Sequence, residues 1–203
     1  MPTPENIHPV FNQLLTRADK EKLLNQNARV IWLTGLSGAG KTTIARQFEL
    51  ALNKMGYLTQ ILDGDNVRTG INSNLGFTAE ERYENVRRIA EVSKLFLNCG
   101  IICINSFISP TKSIRDMAKQ IIGEEYFVEV YVNASLATCE KRDTKGLYKM
   151  AREGKIKNFT GIDAPFEPPE NPDVEILTGN LSITDSVQVG LSYILPLISY
   201  KHI

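Results

Sequence analysis

Gly35-Leu36-Ser37-Gly38-Ala39-Gly40-Lys41-Thr42 fits the pattern G-x-x-x-x-G-K-[ST], a spacing suited to holding phosphate. Its glycines let backbone N–H groups curl around an anion, and a helix starting at its end adds the positive end of a dipole. Lys41 can reach the β- and γ-phosphates of a nucleoside triphosphate, and the Thr42 hydroxyl can ligate Mg²⁺. Such a match can arise by chance, so its context decides. Here an apolar run over 30–34 ends at Gly35, and a helical pattern begins at Thr42. The chain is expected to bind a nucleoside triphosphate with Mg²⁺.

Three other groups of polar residues invite chemistry. Asp63-Gly64-Asp65-Asn66-Val67-Arg68 follows a second apolar run, and Gly64 permits a sharp turn that keeps two carboxylates near one strand end. One of them could orient Mg²⁺ or accept a proton from an attacking hydroxyl; a polar turn capping the next helix is the plainer alternative. Arg82 and Asn85 share a helix face expected to point away from the apolar stripe. Arg82 suits a sulfate or phosphate, which a guanidinium grips with two hydrogen bonds, although surface salt bridges also use such arginines. Ser109, before Pro110 at the end of another apolar run, can cap a helix beginning near Thr111. From Lys141 to Lys157, seven basic residues face only Asp143 and Glu153. That run is either a solvated helix face or a mobile lid, over about 141–160, that closes positive charge onto a triphosphate.

These groups need a scaffold that gathers strand ends. Residues 29–34, 58–62, 101–105, 127–132 and 174–177 read as strands, and 43–54, 79–98, 111–122 and 182–195 read as helices. The first and third runs are nearly continuous in apolar residues, as parallel strands covered on both faces are. In 79–98, Val86, Ile89, Ala90, Val92, Leu95 and Phe96 follow helical spacing. The alternation predicts an α/β fold, a parallel five-stranded sheet with helices on both faces. Ligands in such sheets bind beyond the carboxyl ends of the strands. Residues 1–203 are read as a single domain with 1–28 as an N-terminal extension; Pro165, Pro168, Pro169 and Pro172 mark a loop within it.

Composition narrows the class. Lys plus Arg and Asp plus Glu are 23 each, which argues against nucleic-acid binding through bulk positive charge. Hydrophobic residues at 42% with no net charge argue against disorder. No run approaches the roughly 18 apolar residues of a membrane span, and residues 1–6 lack a signal-peptide start, so a cytoplasmic protein without membrane contact is expected. Cys99 and Cys103 read as small core residues, and His8 and His202 lie too far apart for a histidine metal site. A GTPase would need N-K-x-D, and residues 53–56 lack the Asp; the D-x-x-G at 143–146 sits in a basic helical stretch and reads as accidental. A compact small-molecule kinase remains.

The strings WLTGLSGAGKTT, LDGDNVR, LGFTAEERYENVRR, NSFISP, CEKRDTKGLYKMAREGKIKNFTGID and APFEPP, in this order, make residues 31–169 resemble the adenylylsulfate kinases. The resemblance implies a P-loop kinase-like three-layer sandwich that transfers the γ-phosphoryl of ATP to the ribose 3′-hydroxyl of adenylylsulfate, in sulfate assimilation. It implies that residues 35–42 bind ATP and that Asp65, Arg68, Phe77, Arg82, Asn85, Ile108, Ser109, Lys145 and Phe159 line the adenylylsulfate site. Phe77 and Phe159 would stack on adenine, and the arginines would hold the phosphosulfate. Lys41, Asp63 and Ser109 would be catalytic, with Ser109 at the family's phosphoserine-intermediate position and Thr42 and Asp63 at the metal. A homodimer, and functional coupling to a sulfate adenylyltransferase, are also expected. Thr43, Thr78, Glu81 and Phe166 depart from the commoner Ser, Ser, Asp and Tyr, and Ser73-Asn74 lacks a charged pair often found there.

The residues themselves favour direct transfer over a phosphoserine. Neither histidine lies near a motif, and a serine hydroxyl without a base is a weak nucleophile. Ser109 is then expected to hydrogen-bond substrate. Another small-molecule or nucleotide kinase, or a catalytically idle regulatory homologue, are the competing readings.

Overall fold

The computed structural model describes residues 6–10 and 13–201. Its chain runs through α1 (Arg17–Leu24), β1 (Val30–Thr34), α2 (Lys41–Lys54), β2 (Thr59–Asp63), α3 (Gly64–Arg68) and α4 (Ala79–Asn98). It continues with β3 (Ile102–Ser106), α5 (Lys112–Ile122), β4 (Phe127–Asn133), α6 (Leu136–Arg142), α7 (Leu147–Arg152), β5 (Val174–Leu177) and α8 (Ile183–Ile198). The five strands form one parallel sheet in the order β2-β3-β1-β4-β5.

Alternate residues of each strand feed opposite layers. Ile31 and Leu33 of β1 pack with Ile44, Phe48 and Leu52 of α2 and with Leu191 and Ile194 of α8. Val30 and Trp32 point the other way, to Val86 and Ile89 of α4 and Ile114 and Ala118 of α5. Helix α8 comes so close to α2 that a Cβ on Gly190 would fall 2.2 Å from Phe48 Cζ. Every residue of β1 and of β3 is buried, which is why these two strands read as nearly continuous apolar runs. The predicted three-layer α/β architecture is observed.

Strand order reverses around β1: the chain passes to β2 and β3 on one side and to β4 and β5 on the other. That leaves a crevice at the carboxyl ends, where Asp63 lies in register with Ser106. The loop after β1 opens into this crevice.

Several elements differ from the sequence expectation. Helix α1 lies in the stretch read as an extension and buries no residue, so it offers no apolar period to detect. A capping box between Thr16 and Asp19 starts it, Arg17 stacks 3.7 Å above the Tyr126 ring, and Lys20 bonds the Asn98 carbonyl. Helix α8 runs past Pro196 to Ile198, because Ile198 is fully buried and its carbonyl accepts from Asn27 N–H. Cys103 is buried as expected, but Cys99 is exposed: it caps the end of α4, where the helix leaves the core. Among the described residues, no helix is long and apolar enough to cross a membrane.

Candidate active site

The phosphate loop sits where β1 ends. Gly35 has φ 147°, and a Cβ there would lie 2.4 Å from the Val132 carbonyl oxygen, so the neighbouring strand admits only glycine. Gly40, at φ 105°, delivers the chain into α2. Lys41 opens that helix with its side chain buried; its ammonium donates to the carbonyls of Gly35 at 2.9 Å and Leu36 at 2.8 Å. Burial pushes the Lys41 pKa down to about 8, and the Asp63 carboxylate offsets part of that shift. Leu36 turns to the opposite side of the loop, against Gly161 and Leu136, while Ser37 to Thr42 line the crevice.

The two carboxylates after β2 separate. Asp63, the last residue of the strand, is buried; its Oδ2 accepts from Thr42 Oγ1 at 2.8 Å, and its Oδ1 caps α3 through Asp65 N–H at 3.1 Å. The capping turn read from the sequence is observed through one oxygen, and the other oxygen faces the phosphate loop. Ser106 Oγ lies 3.4 Å from Thr42 Oγ1. These are all oxygen donors, the chemistry Mg²⁺ takes, but too few for a protein cage, which fits a metal completed by phosphate oxygens and water. Among the described residues no group of three His, Cys, Asp or Glu side chains could hold a metal. Asp65 is exposed and pairs instead with Lys145, 80 residues away in sequence.

Across the crevice, Arg68 donates to the carbonyls of Leu75 at 2.8 Å and Gly76 at 2.9 Å, and its guanidinium lies 4.4 Å over the Phe77 ring. Arg82 also lies over the Phe77 ring, 5.5 Å from its centre, and bonds the carbonyls of Phe77 and Asn158. Phe77 is 57% exposed, with both guanidiniums near its ring. Thr78 and Glu81 form a capping box at the start of α4, so the two departures from the commoner residues keep the cap intact. Asn85 is buried, contrary to the expectation of an outward face: it faces the crevice and Asn72 rather than bulk water.

Ser109 is buried at φ 39°, a left-handed conformation. Its hydroxyl donates to Thr34 Oγ1 at 3.0 Å and accepts from Trp32 Nε1 at 3.1 Å. Thr34 in turn donates to the Ile108 carbonyl at 2.7 Å. The proton chain from Ser109 ends on a backbone carbonyl. Ser109 caps nothing; Thr111 is the N-cap of α5.

The basic stretch is folded, not a bare loop. Asp143 closes α6 and accepts from the N–H groups of Tyr148 and Lys149, which explains its D-x-x-G as a helix start. Tyr148 is buried in α7 with its hydroxyl 2.9 Å from the Ser37 carbonyl and its ring edge-on to Phe159, 5.0 Å between centres. The segment is thus pinned to the phosphate loop at Tyr148. Phe166 stacks on Tyr131 at 6.2 Å.

One cavity of about 1050 Å³ joins these groups, from the phosphate loop past Asp63, Asp65 and Arg68 to Phe77, Arg82 and Asn85. Ile108, Ser109, Lys145 and Phe159 complete its far wall. Sequence reasoning missed Thr178, and placed Arg142 only within the basic run of the lid. Arg142 bonds the carbonyls of Gly38, Ala39 and Thr178, and Thr178 Oγ1 donates to Ala39 at 2.6 Å. The available signal was positional: Thr178 directly follows the carboxyl end of β5.

Comparison with known proteins agrees with this geometry. The family model for adenylylsulphate kinase matches residues 27–177. An adenylyl-sulfate kinase of Phocaeicola vulgatus is 57% identical over 97% of this chain and 97% of its own length, and one of Bacteroides fragilis 58% over 96% of each. The Mycobacterium tuberculosis APS kinase solved with AMPPNP and APS superposes with TM-score 0.80 at 38% identity, over 83% of this chain and 98% of that one. A gluconokinase of Sinorhizobium meliloti, at 15% identity and TM-score 0.54, shares the fold alone. With a match spanning the phosphate loop, both carboxylates and the basic segment, the chain belongs to the adenylylsulfate kinase family.

Proposed function

We propose that this chain transfers the γ-phosphoryl group of ATP to the ribose 3′-hydroxyl of adenylylsulfate, giving 3′-phosphoadenylylsulfate and ADP. The observation that carries the reading is one cavity lined both by the phosphate loop and by an exposed aromatic ring with two arginines beside it. That arrangement suits two anionic nucleotides meeting near Asp63.

Residues 35–42 hold the ATP phosphates with backbone N–H groups and the Lys41 ammonium. Arg142, Thr178, Leu181 and Ile183 line the cavity on that side and face the ATP nucleoside. Thr42 and Asp63 are the residues that would hold Mg²⁺, which supplies neutralisation of charge on the β- and γ-phosphate oxygens. The Asp63 carboxylate accepts the proton of the attacking hydroxyl. Phe77 and Phe159 take the adenine of adenylylsulfate, and Arg68 and Arg82 take its phosphosulfate. Lys145 and Asp65 meet across the mouth, so residues 141–160 close over bound substrates. Ser109, whose proton goes to Thr34, hydrogen-bonds substrate through its remaining lone pair, and transfer is direct.

A coupled ADP-release assay offering adenylylsulfate, AMP, shikimate or no acceptor tests the reading. Adenylylsulfate should exceed AMP in kcat/KM by roughly tenfold to a hundredfold, the worth of one charge-assisted contact. Equal values for the two would overturn it.

A further inference from the structure

The turn between α3 and α4 carries a side chain that no motif singles out. Asn72 is fully buried, and its amide nitrogen lies 3.0 Å from Asn85 Oδ1 and 3.4 Å from the Asn85 backbone carbonyl oxygen. Its own Oδ1 is buried without a hydrogen-bond partner. An interior amide with a bare oxygen loses hydration and receives nothing back on that side, so leucine would be the cheaper occupant unless the nitrogen is needed.

The backbone carbonyl settles which way round both amides sit. Asn72 can present only its NH₂ to a carbonyl oxygen, because an oxygen there would repel. The Asn85 atom facing the same NH₂ must then be the acceptor, Oδ1. Asn85 Nδ2 has no protein partner among the described residues, and Asn85 lines the cavity beside Arg82 and Phe77. Asn72 is itself held at both backbone ends: its N–H donates to Val67 at 2.9 Å, and its carbonyl accepts from Leu75 at 3.1 Å. Arg68 clamps the next residues through the carbonyls of Leu75 and Gly76.

We propose that Asn72 is a positioning residue that locks the Asn85 amide with its two N–H donors toward the cavity, where they meet an acceptor atom of adenylylsulfate. The proposal rests on the activity assigned above. Without Asn72, the Asn85 amide is free to turn, and half its orientations present an oxygen to an anionic ligand. The loss falls on one substrate only, since Asn85 sits on the Phe77 side, away from the phosphate loop.

The test is a double-mutant cycle read in both KM values. Asn72→Ala should raise KM for adenylylsulfate about tenfold, the size of one good hydrogen bond, with KM for ATP within about twofold. In an Asn85→Ala background the same substitution should change KM for adenylylsulfate less than about twofold, because the residue it acts through is gone. Asn72→Leu fills the space and removes the unpartnered oxygen, so it keeps the fold testable and should show the same split with an undiminished melting temperature. Effects on the two KM values that are equal, or that multiply through the cycle, would overturn the role of Asn72. A wild-type enzyme that fails to phosphorylate adenylylsulfate would instead refute the activity itself.

Discussion

Thr42 Oγ1 donates to Asp63 Oδ2 across 2.8 Å, tying the end of the phosphate loop to the end of β2. The contact places the buried carboxylate beside the hydroxyl that ends the nucleotide motif, where transferred phosphate and metal would meet. Asp63→Asn keeps the shape and the cap on α3 but removes the proton acceptor. Its kcat should fall on the order of 10²–10⁴ while KM for ATP changes little, measured by steady-state kinetics at saturating Mg²⁺. A kcat within a few-fold of wild type would remove Asp63 from the proton-transfer role.

Ser109 has no base. Its proton goes to Thr34 and onward to the Ile108 carbonyl, neither of which can accept it in a chemical step. Ser109→Ala should therefore keep a substantial fraction of kcat. With ATP chiral at the γ-phosphorus, one direct transfer inverts configuration and two successive transfers retain it. Inversion is expected; retention, or a Ser109→Ala enzyme as inactive as Asp63→Asn, would overturn direct transfer.

Lys41 ties pH to nucleotide binding. Its pKa is lowered from 10.5 to about 8, so between those values the folded chain carries fewer protons than the unfolded one. This group's contribution to stability therefore rises with pH across that window, and its cost is fully present below it. Triphosphate oxygens favour the ammonium and raise the pKa again. Binding of ATP at about pH 8.5 should take up a fraction of a proton, seen by calorimetry as an enthalpy that varies with buffer ionisation, and the uptake should vanish in Lys41→Met. Proton release, or the same uptake in the variant, would contradict the assignment.

Arg82 couples the aromatic platform to the basic segment through the carbonyls of Phe77 and Asn158. Arg82→Ala should lower kcat/KM for adenylylsulfate roughly tenfold to a hundredfold and leave AMP much less affected. Parallel progress curves with the two acceptors decide this. Losses of equal size would assign Arg82 to holding the turn rather than to reading the sulfate.

The sheet was legible because its middle strands are covered on both faces, so Ile31, Leu33, Ile102 and Ile104 write burial straight into the sequence. Helix α1 was not, since it buries nothing and is fastened by a capping box, a cation–π contact and side-chain bonds from far along the chain. The phosphate loop is legible for a different reason: its glycines answer a local demand, such as Val132 against Gly35. Asn85 misled because a polar residue on a helix ordinarily faces water, whereas here the polar neighbour is Asn72, supplied by the preceding turn. Arg142 and Thr178 meet Ala39 of the loop from 103 and 139 residues away in sequence, a juxtaposition no local pattern encodes.

The most direct measurement is the identity of the product. Incubation with ATP, Mg²⁺ and adenylylsulfate, followed by phosphorus NMR and mass spectrometry, locates the phosphoryl group on the acceptor. The account predicts a new phosphomonoester on the ribose 3′-oxygen with the phosphosulfate anhydride intact. A phosphoryl group on the 2′-oxygen, or ADP formed with adenylylsulfate unchanged, would contradict it.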